Sequence, residues 1–127
     1  MATREQVEAA VIARLSTVSA YTTDQVNAEG FDFPDGYAEV RVSPTSRGLA
    51  KGSATSPTQG WQVDVEVVGR LAVNVNRVLD TCSSSLYGHR FTIGSDTSTP
   101  CQEGGFEPAE STGDRRFAGF GSWTFAL

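Results

Sequence analysis

Three side chains in this 127-residue sequence have the chemistry of catalysis. Asp64 and Glu66 lie in the stretch GWQVDVEVVGR, residues 60–70, and His89 is the sole histidine of the sequence. On a β-strand, residues two apart share a face at a spacing of about 7 Å. Paired carboxylates at such a distance perform acid–base chemistry or hold a metal. The same alternation with valine also describes the solvated face of an antiparallel sheet. No HxH, HExxH or DxDxDG spacing accompanies the two acids, so they are read as a polar sheet face open to another subunit. His89 follows Gly88 at a helix-to-strand turn, and any Ser-His-Asp or Cys-His arrangement would depend on it alone. Ser83, Ser84 and Ser85 fall on a predicted helix without the GxSxG elbow. The glycines of GGF and FAGFG match neither a phosphate loop nor a dinucleotide fingerprint. The expectation is a chain with no catalytic residue, no cofactor and no metal.

The elements that position these residues follow from periodicity. Val7, Val11, Leu15 and Val18 recur at helical steps over residues 3–18, and Thr3 followed by Gln6 has capping-box spacing. FDFPDG, residues 31–36, turns the chain through Pro34 and Gly36. YAEVRV, residues 37–42, alternates as a strand with Ala38, Val40 and Val42 on one side. Residues 43–60 hold almost nothing to bury and read as a mobile arm or recognition loop, whose only charges are Arg47 and Lys51. In the next strand Trp61, Val63, Val65 and Val67 point one way, while Gln62, Asp64, Glu66 and Val68 point the other.

Leu71, Val75, Val78, Leu79, Cys82 and Leu86 predict a second helix, stopped at Gly88. Asn74 is an alternative cap, which would leave RLAV extended. HRFTIG is a short strand, and residues 94–114 form a second irregular segment with five acids and no base. In RRFAGFGSWTFAL, Phe117, Trp123, Phe125 and Leu127 share one strand face, and the glycines permit close packing or a bulge. Trp61 and Trp123 read as anchors of a core or of an interface. This order predicts an α+β fold: an antiparallel or mixed sheet of about four strands, with two helices packed on one face. The chain contains no internal repeat and is read as one domain, 1–127.

A chain of this length buries roughly two-thirds of its unfolded surface, enough for a core without staples. The net charge of −5 argues against general nucleic-acid binding, which needs clustered Lys and Arg. No apolar run approaches membrane-spanning length, and the N-terminus lacks a continuous apolar leader, so cytoplasmic synthesis is expected. Cys82 and Cys101 are too few for a disulfide scaffold or a cysteine zinc site, and free thiols fit that compartment. Without a catalytic constellation, two long polar segments on a small scaffold point to assembly or binding.

The stretches REQVEAAVIARL, WQVDVEVVGR, VNRVLDTCSSSLYG and RRFAGFGSWTFAL, with their order and the chain length, resemble the tail terminator proteins of long-tailed bacteriophages. These are also described as minor tail or tail-completion proteins. The resemblance implies an α+β subunit of the virion, assembled in the host cytoplasm into a hexameric ring. Such a ring ends polymerisation of the tail tube protein and offers a docking surface to a head–tail connector protein. DNA passes through the ring without being read. Candidate interface residues are Arg47, Lys51, Asp64, Glu66, Arg70, Arg115 and Arg116, through complementary charge on adjacent subunits. Another neck component, such as a head–tail stopper or adaptor, is the alternative structural role. A small enzyme using Asp64, Glu66 and His89, or a ligand-binding or immunity-type domain, are the alternatives of other classes.

Overall fold

The computed structural model describes residues 2–16, 30–33, 36–48 and 58–127. Among these, helix α1 (Arg4–Ser16) precedes strands β1 (Gly30–Phe33), β2 (Gly36–Gly48) and β3 (Thr58–Gly69). Helix α2 (Ala72–Leu86) follows, then a small hairpin of β4 (Thr92–Ile93) and β5 (Asp96–Thr97). Strands β6 (Gln102–Ser111) and β7 (Phe117–Ala126) complete the order. Five strands form one antiparallel sheet in the order β1-β2-β3-β7-β6, so the fold is α+β.

Alternation in the sequence sets which face is buried. Val40 lies opposite Val65 and Val42 opposite Val63, while Trp123 lies opposite Val63 on the other side of β3. These residues form one core with Val7, Val11 and Leu15 of α1 and Val75, Val78, Leu79 and Leu86 of α2. The predicted capping box closes α1: Thr3 N–H donates to Gln6 Oε1 at 2.9 Å, and Gln6 N–H to Thr3 Oγ1 at 3.2 Å. Helix α2 begins from Leu71 with no side-chain cap, so Asn74 is not its N-cap and RLAV is not an extended segment. At its far end Gly88 takes φ 76°, the left-handed conformation that ends helices cheaply.

The glycines of the last strand set how closely α2 approaches. A Cβ on Gly119 would stand 2.6 Å from Leu79 Cδ1, and one on Gly121 would stand 2.4 Å from Trp123 Cη2. The outer edge of the Trp123 indole therefore lies against Gly121, and α2 settles onto β7 at Gly119. Close packing is the reason for these two glycines.

The sheet is wider than periodicity suggests. FDF lies in a strand and not in the turn alone, because Phe31 and Phe33 pair with Ala38 and Gly36 of β2. Val18 falls outside the described residues, as do Pro34 and Asp35 of the predicted turn. Within 43–60, β2 continues to Gly48 and β3 starts at Thr58, with a register shift between Pro44 and Arg47. Residues 49–57, with Lys51, lie outside the described residues.

The larger correction concerns 94–114. Ten of those residues form β6, despite Gly104, Gly105, Pro108 and three glutamates. Such residues disfavour a central strand, yet an edge strand tolerates them because it pairs on one side only. Two register shifts, between Glu103 and Phe106 and between Glu107 and Glu110, absorb the misfit. HRFTIG contributes only Thr92–Ile93 to a strand.

Candidate functional site

Among the described residues both helices lie on one side of the sheet and no helix covers the other, bare face, on which Val68 and Ser122 are nonetheless buried. Strand register arranges that face in rows. One row runs Arg41, Asp64, Ser122; the next runs Glu39, Glu66, Phe120, Glu107. A third runs Tyr37, Val68, Ala118, Glu110. One step beyond the last paired residues of β3 and β7, Gly69 and Phe117, come Arg70 and Arg116. The face thus carries an acidic field, a half-apolar row and a basic corner.

Asp64 and Glu66 belong to the acidic field, as the alternation predicts. Gln62 Nε2 donates to Asp64 Oδ1 at 2.9 Å. Glu66 is exposed and lies directly opposite Glu39, a like-charge pair that costs a few tenths to about 1 kcal/mol. Arg41 relieves part of that repulsion through Glu39, at 3.6 Å. Both side chains are well exposed, so the ion pair itself contributes ~0–1 kcal/mol. The depression lined by Glu39, Arg41, Asp64, Glu66 and Phe120 has a volume of about 90 Å³. That holds a few water molecules.

His89 stands on the other side of the sheet. Its ring meets Phe91 edge-on at 4.7 Å, and Phe91 packs at 4.9 Å against Phe125 of the buried face. Partial burial, and secondarily the Arg14 guanidinium, hold its pKa below the ordinary histidine value. The sheet therefore separates His89 from Asp64 and Glu66, and the three do not converge on one substrate. Among the described residues, no three His, Cys, Asp or Glu side chains are grouped as metal ligands. Cys82 and Cys101 are both free and buried. Burial pushes the Cys82 thiol up to about 12 and that of Cys101 up to about 11.

The basic corner gathers two of the candidate arginines. Arg70 and Arg116 line one cleft of about 340 Å³ with Gly36, Tyr37, Val68 and Gly69. Arg115 does not open the final strand: it sits in the β6–β7 turn with φ 67°. Such a left-handed conformation costs a non-glycine residue roughly 1–2 kcal/mol. Thr112 compensates: its N–H donates to the Arg116 carbonyl at 2.9 Å, and its hydroxyl donates to Asp114. That hydroxyl, with Arg116 nearby, holds the Asp114 carboxyl below its ordinary pKa. Arg47 lies opposite Gln59 in the β2–β3 ladder, apart from the Arg70–Arg116 corner.

Sequence reasoning missed Tyr37, Glu107 and Glu110 as members of this face. The two glutamates stand three apart, and only the register shift between them puts both on the bare side, opposite Phe120 and Ala118. No regular strand period reveals that. No helix among the described residues is long and apolar enough to cross a membrane. No family model matches the chain, and no curated protein matches it.

Proposed function

We propose that this chain is a ring-forming structural subunit of the tail-terminator type. In this reading it ends growth of a phage tail tube, presents a docking face to a head–tail connector protein, and lets DNA pass unread. Hexamers form in the host cytoplasm and remain in the virion. The observation that carries the proposal is the helix-free sheet face, where exposed Tyr37, with buried Val68 and half-buried Ala118 in the same row, lies between acids and arginines. A face of this composition suits contact better than catalysis, since apolar groups exclude water while charges fix orientation. A ring further requires that each subunit carry two different, complementary patches, and the face supplies both signs. An acidic chain also suits a channel for DNA, because like charge prevents sticking.

Native mass spectrometry over a concentration series, alone and with a tail-tube protein, tests the proposal. A closed six-subunit species that caps tube ends supports it. A monomer under every condition, or tubes that grow past it unhindered, overturns it.

A further inference from the structure

We infer that the Arg70–Arg116 cleft is a carboxylate seat, and that its occupant is the Glu107 and Glu110 pair on strand β6 of a second copy of this chain. The inference rests on the reading of the chain as a self-assembling subunit and names the contact by which it assembles. Arg70 follows the paired residue Gly69 and Arg116 precedes its partner Phe117, so the two arginines stand one step beyond the ladder on adjacent strands and line one cleft. Strands lie about 5 Å apart, and like charges directly opposite destabilise a sheet unless an anion sits between them. Among the described residues neither arginine is in an ion pair. The cleft they line, about 340 Å³ and open to the bare face, admits a carboxylate side chain. Guanidinium forks bind carboxylates through two parallel hydrogen bonds, which fixes orientation as well as adding energy.

The acids of the five-stranded sheet and of the β6–β7 turn differ in availability. Asp64 is held by Gln62, Glu39 by Arg41, Glu103 by Ser83 Oγ at 3.4 Å, and Asp114 by Thr112. Glu66 is unheld but stands in the interior of the sheet, opposite Glu39 and beside Phe120. Glu107 and Glu110 are exposed, unpaired among the described residues, and carried by the edge strand. Both face the bare side, two β7 positions apart. Glu110 is also diagonal to Arg116 within its own chain, but no ion pair joins them.

Strand β6 itself does not invite backbone pairing with a neighbour. Its two register shifts, Pro108 and its glutamates are the devices that blunt an edge. The contact therefore runs through side chains. A nucleic-acid phosphate would fit two arginines too, but the acidic balance of the chain opposes it.

A charge-swap experiment on the full chain tests this. One variant carries Arg70→Glu and Arg116→Glu; the other carries Glu107→Arg and Glu110→Arg. Each alone should associate at least about tenfold more weakly than wild type in low salt by analytical ultracentrifugation. Mixed in equal amounts they should recover association to within a few-fold, because every contact in an alternating assembly again joins opposite charges. Circular dichroism checks folding; if the first variant unfolds, Arg70→Gln with Arg116→Gln replaces it in the loss-of-association arm alone, because neutral glutamines cannot restore opposite charges in the mixture.

Variants that assemble like wild type, or a mixture that fails to recover, overturn the inference while leaving the ring reading intact. Duplex DNA binding that is lost with the arginines while assembly is unchanged overturns it as well. A mixture that recovers only dimers supports this contact and removes the ring. A wild-type chain that never associates removes both.

Discussion

Burial decides the chemistry of individual side chains here. Cys82 and Cys101 are 3% and 1% exposed, and burial raises both thiol pKa values. At pH 8 the folded protein should react with a thiol reagent at least about tenfold more slowly than the unfolded chain, since only thiolate attacks. Two fast-reacting thiols in the native state would contradict the packing of α2. The same shifts act on stability. Below the ordinary value of 9.0 both states keep their protons and these thiols leave stability unchanged. Above it the unfolded chain loses protons first, so stability falls as pH rises towards the folded values of about 11 and about 12. Ser85 makes a different case, because its hydroxyl is buried without a hydrogen-bond partner among the described residues. Its carbonyl accepts from Arg14 Nε at 3.1 Å, a contact that Ser85→Ala preserves. The substitution should therefore raise stability by about 1 kcal/mol in denaturant titration. A loss instead would show that the hydroxyl is satisfied in solution.

At the scale of elements, the contact of α2 with β7 depends on the absence of two side chains. Gly119→Ala brings a methyl group against Leu79 and the Glu107 carbonyl, which a Cβ would meet at 3.3 Å. Gly121→Ala displaces the fully buried Trp123 indole, whose ring cannot swing outward without opening the core. Each should destabilise by about 1–3 kcal/mol, the usual cost of overpacking. Gly105→Ala, where a Cβ meets nothing within 4 Å, is the control and should stay within about 0.5 kcal/mol of wild type. Equal melting temperatures for all three variants would mean that α2 does not rest on β7 as described.

For the molecule as described, one sheet face carries both helices and the other carries mostly charge, which makes association an electrostatic matter. The bare face carries Glu39, Asp64, Glu66, Glu107 and Glu110 against Arg41 and the Arg70–Arg116 corner. If complementary charge guides assembly, raising ionic strength from about 0.01 M to about 1 M shortens the screening length from ~30 to ~3 Å and should weaken it. Sedimentation velocity at a fixed protein concentration measures this. Association that strengthens with salt would instead assign the contact to the apolar row of Tyr37, Val68 and Ala118.

The sequence by itself determined most of the buried residues wherever one period runs unbroken, although Leu71, placed by its spacing with the face of α2, precedes the helix and is exposed. Val7, Val11 and Leu15, the valines of β2 and β3, and Val75 to Leu86 of α2 all reach the core as their spacing predicts. It also identified the capping box, the α+β class and the polar face holding Asp64 and Glu66, because each depends on neighbours within a few positions. Tertiary structure alone decided the rest. β1 exists because β2 pairs with it, and β6 exists because β7 does; neither has a pattern strong enough to specify a strand. The meeting of Arg70 with Arg116 joins residues far apart in the chain through β3–β7 register. The common face of Glu107 and Glu110 comes from a bulge, an irregularity that local periodicity does not encode. Periodicity is a property of one strand, whereas this candidate surface is a property of how five strands align.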